Sequence, residues 1–223
     1  MSGFVVSYPK TGRSRIRYML SVYKTNNRIN FTHDGFGWLH DREFNFNPKV
    51  RTDLYSGQKV LLLARDPKDT LVSLYFQQTK RNPFFKGTMG EFIRSRQGAV
   101  TMERFYGMWA QAFCTDVHML SFYEDFSAAP RVEFYRVVSF FNLEKNFERL
   151  LKAVKMGSFE NMKQLEKSGK YPQRWLQPRN KNDNDSYKCR RGVIGGYRDY
   201  LDKKDIRYIN RIIKSNIILK RYV

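Results

Sequence analysis

Short apolar runs alternate along the chain with segments in which apolar residues recur every three or four positions. The run at 3–8 is followed by Ile16, Met19, Leu20 and Tyr23. A short apolar run is typical of a strand buried in a parallel sheet, and a spacing of three and four predicts a helix. The chain is therefore predicted to begin with a strand, a loop and a helix.

The same alternation continues to the end of the chain. Strands of this kind, alternating with helices, favour an α/β fold: a single P-loop-like domain whose central parallel sheet is flanked by helices on both faces. A chain of 223 residues fits one domain, 1–223, and no internal repeat is visible. The further predicted elements are strands at 29–32, 59–64 and 117–123 and helices at about 89–97, 101–114, 129–141 and 146–155 and after 202.

Composition supports a folded chain without a membrane segment. Hydrophobic residues make up 41% and aromatic residues 16%, enough to bury a sizeable core. No run approaches the roughly 18 apolar residues of a membrane helix, and the first residues do not resemble a signal peptide, so a cytoplasmic protein is expected. Cys114 and Cys189 lack metal-ligand spacing and are interpreted as reduced structural thiols.

The net charge of +20 indicates an anionic ligand or surface. A polyphosphorylated cofactor, an anionic acceptor, nucleic acid and an acidic membrane would all gain from this positive field. A basic surface that serves only solubility gives the same charge. The choice among these classes therefore depends on local motifs.

The first such motif is the loop Tyr-Pro-Lys-Thr-Gly-Arg-Ser at 8–14, between the first strand and the first helix. Free backbone N–H groups and the dipole at a helix N-terminus favour a phosphate there, and Lys10 adds a positive charge. Lys10 precedes Gly12, so the loop does not match the G-x-x-x-x-G-K-[ST] pattern of nucleotide-triphosphate loops.

The second motif is Arg-Asp-Pro-Lys-Asp-Thr-Leu-Val-Ser at 65–73, after the strand at 59–64. Asp66 suits a helix N-cap and Pro67 the first helical position. Ser73 follows Asp66 by seven residues and therefore lies on the same helix face. Arg65 and Ser73 are predicted to converge into a second phosphate clamp.

Together these motifs resemble those of the sulfotransferases that use 3′-phosphoadenosine-5′-phosphosulfate (PAPS), whose signatures read approximately Tyr-Pro-Lys-Ser-Gly-Thr-Thr-Trp and Arg-Asp-Pro-Arg-Asp followed by Ser. Three later segments are similar to further family segments and occur in the family's order. They are Phe-Tyr-Glu-Asp at 122–125, Ser-Phe-Glu-Asn-Met at 158–162 and Arg-Arg-Gly-Val-Ile-Gly-Gly-Tyr at 190–197.

The resemblance implies transfer of a sulfuryl group from PAPS to a hydroxyl or amine, without a metal ion. Such a reaction needs positioning and fixed positive charge more than covalent help. Lys10 would neutralise the leaving phosphate. The implied contacts are Lys10, Thr11, Gly12, Arg13 and Ser14 with the 5′-phosphosulfate, Arg65, Ser73, Arg190, Arg191 and Gly192 with the 3′-phosphate, and Tyr123 and Phe159 with the adenine.

Many members of this family use a histidine as general base, between the two phosphate motifs. His33 is preferred, because Ile-Asn-Phe-Thr-His at 29–33 has a strand-then-histidine pattern similar to the family's Lys-Thr-His. His40 stays open as an alternative base. His118 lies inside an apolar strand pattern and is interpreted as a core or edge residue.

The chain departs from the family pattern at several positions. Arg15 stands where the family has an aromatic residue, Phe31 replaces the lysine that precedes the histidine by two, and Gly196-Tyr197 replaces Asp-Trp.

The stretch 177–188, rich in Asn, Asp and Lys, is predicted to be either a lid or an ordinary surface loop. The acceptor is a small molecule or a glycan, and the basic surface would suit an anionic one.

Two other functions compete with sulfuryl transfer. A nucleotide-dependent kinase would need a phosphate loop with Lys after Gly, which is missing. A module that binds nucleic acid or another polyanion would explain the charge but does not need two phosphate clamps, and no nucleic-acid partner is expected. A polyanion binder would ignore nucleotide identity, whereas a sulfotransferase would require the 3′-phosphate of adenosine 3′,5′-bisphosphate (PAP).

Overall fold

Four parallel strands form the centre of the computed structural model, which describes residues 2–25, 27–34, 52–113, 117–171 and 176–223. Within these residues the sheet has the order β2-β1-β3-β4, so β1 and β3 occupy its middle. The predicted strands are confirmed. Their bounds are β1 Ser2–Ser7, β2 Arg28–Thr32, β3 Lys59–Ala64 and β4 His118–Phe122.

Helices cover the sheet and connect its strands, as the spacing of apolar residues predicts. Asp66 caps α3 by accepting a hydrogen bond from the Lys68 amide at 2.8 Å, as predicted. The helices are α1 Arg13–Tyr23, α2 Thr52–Tyr55, α3 Pro67–Phe76, α4 Met89–Arg94, α5 Ala99–Ala112, α6 Tyr123–Ala128, α7 Pro130–Phe140, α8 Phe147–Met156, α9 Phe159–Ser168 and α10 Lys203–Ile213.

Each face of the sheet has its own hydrophobic core. Val6 and Leu62 point to one face, where they pack with residues of α3, α5 and α10. Val5 and Leu61 point to the other, where they pack with residues of α1, α7 and α8. Alternate residues of a strand point to opposite faces, so a sheet covered on both faces needs strands that are apolar throughout. The predicted α/β architecture is confirmed.

The carboxyl ends of the parallel strands lie at one edge of the sheet, where open α/β sheets bind ligands. The segments that follow β1, β2, β3 and β4 begin with Tyr8, His33, Arg65 and Tyr123. This arrangement brings the two phosphate motifs together although more than fifty residues separate them. In the described part of the chain, no helix is both long and apolar enough to cross a membrane.

A buried carboxylate attaches the last motif to the body of the fold. Glu166 on α9 is fully buried and accepts a hydrogen bond from Arg81 Nη1 at 3.0 Å. It also accepts bonds from the backbone N–H groups of Lys188 at 2.7 Å and Cys189 at 2.8 Å. Because this carboxylate satisfies donors from two separate segments, it fixes the chain that leads into 190–197.

The stretch 177–188 is hydrogen-bonded to itself and to the rest of the fold. The Ser186 hydroxyl is buried and donates to the Asn180 carbonyl at 2.7 Å, while the Gln177 carbonyl accepts a bond from Arg81 Nη2 at 2.5 Å. A 3₁₀ turn spans Asn184–Ser186. These bonds place its last residue, Lys188, at the sheet edge where the strands end.

Substitution of Glu166 by Ala should lower the free energy of unfolding by about 3–5 kcal/mol, because it breaks a buried ion pair with Arg81 and removes the acceptor of two backbone N–H groups. Chemical denaturation followed by circular dichroism measures this loss. Glu144→Ala is the matched control, since the Glu144 side chain is 75% exposed and its ion pair with Arg149 is worth less than about 1 kcal/mol. Equal losses in the two variants would contradict the anchoring role of Glu166.

Candidate active site

The segments after the four strands surround a cavity of about 210 Å³. Thr11 is the one predicted site residue that does not line it: its side chain is buried and its hydroxyl donates to the Tyr8 carbonyl at 2.8 Å. His40 and Cys114 lie outside the described residues. The predicted site residues that line the cavity are Lys10, Gly12, Arg13, Ser14, His33, Arg65, Ser73, Tyr123, Phe159, Arg190, Arg191 and Gly192.

The first loop turns sharply at Lys10 and Gly12, whose φ angles are 72° and 95°. A Cβ on Gly12 would lie 2.8 Å from Cδ2 of Tyr123, so this position needs glycine for both conformation and space. Gly12 has no side chain to cap α1, and its carbonyl accepts from the Arg15 N–H at 2.9 Å, so no capping side chain competes with an anion for the earlier N–H groups of this turn. The first loop therefore places a lysine and a helix N-terminus at the same end of the cavity.

Two buried lysines, Lys10 and Lys188, line this end of the cavity. Lys10 Nζ donates to Gln77 Oε1 at 3.3 Å, and burial, followed by repulsion from Lys188 and Arg81, lowers the pKa of Lys10 to about 7. Burial and repulsion from Arg81 and Arg13 lower the pKa of Lys188 to about 7 as well. An anion bound between these groups would relieve the repulsion and keep both lysines charged.

Arg65 joins the second motif to the first loop. Its Nη1 donates to the Lys10 carbonyl at 3.2 Å, and its guanidinium carbon lies 4.2 Å from the centroid of the Tyr123 ring. Its Nε is buried and has no hydrogen-bond partner. Ser73 lines the same cavity from α3, so Arg65 and Ser73 converge as predicted.

Asp69 connects this clamp to the last motif. Its carboxylate accepts hydrogen bonds from the backbone N–H groups of Gly195 at 2.7 Å and Tyr197 at 2.9 Å, and lies 3.9 Å from Arg65 Nη2. Asp69 lies in the first turn of α3, and the sequence alone assigns it no partner. Its contacts with residues more than a hundred positions away needed the folded structure.

The last motif lies against α3 and α9. The Arg190 guanidinium carbon is 4.0 Å from the centroid of the Phe76 ring, and Nη1 donates to the Tyr200 hydroxyl at 2.6 Å. Arg191 forms an ion pair with Asp199 at 2.6 Å. A Cβ on Gly192, whose φ is 69°, would lie 2.4 Å from Phe159 Cδ2, which makes glycine necessary for this approach.

His33 is held by hydrogen bonds at both ring nitrogens. Nδ1 lies 2.7 Å from the Ser7 carbonyl and Nε2 lies 2.7 Å from Arg13 Nη2. A carbonyl oxygen only accepts, so this geometry assigns the proton to Nδ1 and the lone pair to Nε2, which accepts from Arg13. His33 therefore has the tautomer that a base acting through Nε2 requires.

Arg13 also has a donor that no protein group satisfies. Its Nη1 is buried without a hydrogen-bond partner, and burial, followed by repulsion from Arg17, lowers its pKa to about 9. Such an unpaired buried donor is costly unless a ligand accepts from it. Arg13 and Arg65 thus present unsatisfied guanidinium nitrogens at two places along one cavity.

The positions that depart from the motifs also have defined partners. Arg15 Nε donates to the Gly157 carbonyl at 2.9 Å and the residue lines the cavity. The Arg17 guanidinium carbon lies 4.7 Å from the centroid of the Phe31 ring. His118 packs between Trp109 and Phe113, as expected for a structural histidine, and burial lowers its pKa.

The cavity-lining residues that sequence reasoning did not assign to the site include Lys188 and Cys189, which come directly before the last motif. The sequence signal for these two residues is that they directly precede the motif at 190–197. Burial raises the pKa of the Cys189 thiol to about 12, so the group stays protonated. Among the residues described, no group of three or more His, Cys, Asp or Glu side chains could hold a metal ion.

The chain is similar to one protein family and to several solved structures. The family model described as "Sulfotransferase domain" matches residues 50–220. The structure of mouse sulfotransferase SULT7A1 in complex with PAP superposes with a TM-score of 0.74 at 17% identity, over 99% of this chain and 87% of the other. No curated protein matches the sequence.

Two structures of retinol dehydratase are also similar to the chain. One contains androsterone and the inactive cofactor PAP, and the other contains retinol and PAP. Each has a TM-score of 0.68 and 14% identity and covers 97% of this chain, together with 80% and 81% of the respective dehydratase chain. At 14% to 17% sequence identity, the similarity to these structures shows a shared fold.

Stability without ligand should rise with pH between about pH 7 and about pH 10 because of Lys10 and Lys188. Their pKa is lowered on folding from 10.5, so the unfolded chain binds more protons in this window. Each lysine should contribute a slope of up to about 1.4 kcal/mol per pH unit. Urea denaturation at a series of pH values measures the slope.

Lys188→Met should flatten that slope, whereas Lys204→Met, a change of an exposed lysine on α10, should keep it. A wild-type slope in Lys188→Met would contradict the buried, repelled state of Lys188.

Proposed function

The chain belongs to the sulfotransferase family, whose model matches residues 50–220, and we propose that it transfers a sulfuryl group from PAPS to a hydroxyl or amine of an acceptor. One observation carries the proposal. A single cavity holds two separate cationic clamps, and each has a buried guanidinium nitrogen without a protein partner. A nucleotide with phosphate groups at both its 3′ and 5′ positions would satisfy both clamps.

The end of the cavity near the first loop would hold the 5′-phosphosulfate. This end is lined by Lys10, Lys188, Arg13 and Ser14. The N-terminus of α1, which has no side-chain cap, begins at the same place. Lys10 would carry charge that develops on the leaving phosphate oxygen. A lysine with a pKa lowered to about 7 gains most from such an anion, because the anion restores its charged form.

The other clamp would hold the 3′-phosphate. Arg65 Nε, directly after β3, and the Ser73 hydroxyl, on α3, would supply donors, and the segment at 190–192 lines the cavity with them. Asp69 supports this arrangement through its two backbone hydrogen bonds to the last motif. Tyr123 and Phe159 offer aromatic surfaces for the adenine, and Arg15 adds a guanidinium in place of the family's aromatic residue.

His33 would act as the general base. Its Nδ1–H is held by the Ser7 carbonyl, so Nε2 is the ring nitrogen that would accept the proton of the attacking hydroxyl. The proton moves to Nε2 as the acceptor oxygen bonds to sulfur and the bond from sulfur to the phosphate oxygen breaks. Fixed cations, with no metal ion, would balance the negative charge of this loose transition state.

The donor assignment is supported by the PAP in the similar structures and by the fit of the donors present here. The acceptor is proposed as a small molecule or a glycan, and the charge of +20 favours an anionic one. We also place residues 1–223 in one domain in the cytoplasm, which the free thiol of Cys189 supports.

PAP should stabilise the chain selectively. At about 100 times its dissociation constant a ligand adds roughly 2.7 kcal/mol to the free energy of unfolding, which a thermal-shift experiment detects. ADP and AMP, which lack the 3′-phosphate, are the controls. Equal stabilisation by PAP and ADP would contradict the clamp at Arg65 and Ser73, and a shift that salt alone abolishes for all three nucleotides would favour a general polyanion binder.

Arg65→Ala and Lys10→Ala should impair turnover in different ways. Loss of one charged hydrogen-bond donor to the 3′-phosphate should raise KM for PAPS about 10- to 100-fold with a smaller effect on kcat. Loss of the charge at the leaving phosphate should lower kcat about 100- to 1,000-fold. Steady-state kinetics with an acceptor found by screening with PAPS separates the two effects, and full activity in either variant would contradict the proposed site.

A further inference from the structure

Arg13 connects the base to the part of the cavity where the sulfuryl group would lie. Its Nη2 donates to His33 Nε2 at 2.7 Å, while Nη1 is buried without a partner. The residue is the first of α1, directly after the turn at Gly12. In this one guanidinium, Nη2 therefore occupies the lone pair of the proposed base, and Nη1 is available to donate to an anion.

This hydrogen bond has a chemical consequence. The lone pair of Nε2 must be free to accept a proton, and a donor that already occupies it prevents proton transfer. Because Nδ1 is bonded to the Ser7 carbonyl, the ring cannot offer its other nitrogen without breaking that bond. In the geometry without ligand, His33 is therefore held in the correct tautomer but is blocked.

A bound anion would compete for Arg13. Charge-assisted hydrogen bonds from guanidinium to a sulfonate or phosphate oxygen are stronger than a bond to a neutral imidazole. The unpaired Nη1 already provides one donor for such an oxygen. On β2, Phe31 stands two residues before His33, and the Arg17 guanidinium carbon lies 4.7 Å from the centroid of its ring.

We infer that Arg13 is a positioning residue that blocks His33 Nε2 in the free enzyme and releases it when the sulfuryl group of the donor arrives. This inference rests on the proposed function. The guanidinium leaves Nε2, binds the sulfuryl oxygens and stays beside the reacting sulfur. Nε2 then takes the proton from the hydroxyl or amine that attacks the sulfur. His33 is therefore active as a base only after PAPS has bound, which disfavours proton abstraction without sulfuryl transfer.

The histidine rings report this change directly, because the chain has only three histidines. Nitrogen-15 NMR of histidine-labelled protein distinguishes the tautomers and detects a hydrogen bond to Nε2. His33→Gln assigns the His33 signals. Without ligand, wild type should give the Nδ1–H tautomer with a hydrogen-bonded Nε2, and Arg13→Gln should shift that Nε2 signal. Arg17→Gln, which removes a cation from the same helix, should leave it unchanged.

Ligand titration tests the release. PAPS without acceptor should move the wild-type Nε2 signal toward its position in Arg13→Gln, and PAP, which lacks the sulfuryl group, should move it less. If PAPS binds and the signal stays in place, the release is wrong while the proposed function stands. If PAP and PAPS move it equally, the sulfuryl group is not the trigger. If neither nucleotide stabilises the chain, both proposals are wrong.

Turnover gives an independent test. Arg13→Gln should lower kcat about 100-fold, the effect expected of one lost donor to transition-state charge, with a smaller change in KM for PAPS. Arg13→Lys should recover part of this loss, because it restores the charge. Arg17→Gln should stay within about threefold of wild type, since that residue does not line the cavity. A merely structural Arg13 would lower thermal stability in proportion to activity, and PAPS would leave the wild-type Nε2 signal in place.

Discussion

Positive charge withdrawn from water at one edge of a parallel sheet is the constraint on which the rest of this structure depends. Lys10 and Lys188 have pKa values lowered to about 7, and Arg13 and Arg65 each retain a buried donor without a partner. Such an arrangement destabilises the free chain and becomes favourable only with an anion. The fold tolerates it because two hydrophobic cores, one on each face of the sheet, stabilise the strands that carry these loops.

A few buried contacts keep the cationic groups in place against their mutual repulsion. Glu166 holds the backbone at 188–189, and Asp69 holds the backbone at 195–197. Arg65 donates to the Lys10 carbonyl, so the second motif also fixes the first loop. Glu166 and Asp69 thus have two effects: they neutralise part of the positive charge around the cavity, and they anchor the segments that line it.

The strands and most helices could be predicted from the sequence, because runs such as 59–64 and the spacing from Ile16 to Tyr23 are local patterns. Many residues of the cavity could be predicted from the five motifs, two of which directly follow β1 and β3. The roles of Lys188, Asp69 and Glu166 could not, since their partners lie far away in the chain. The bond between Arg13 and His33 likewise depends on how α1 and the end of β2 meet, which no local pattern encodes.

Calorimetric titration with PAP near pH 8, in two buffers of different ionisation enthalpy, shows whether the anion binds against the buried lysines Lys10 and Lys188. If PAP binds against Lys10 and Lys188, it raises their pKa, so binding must take up protons and must weaken as the pH rises above about 7. The account predicts a measurable proton uptake that is smaller in Lys188→Met. Tight binding of PAP with no proton uptake and no dependence on pH would contradict it.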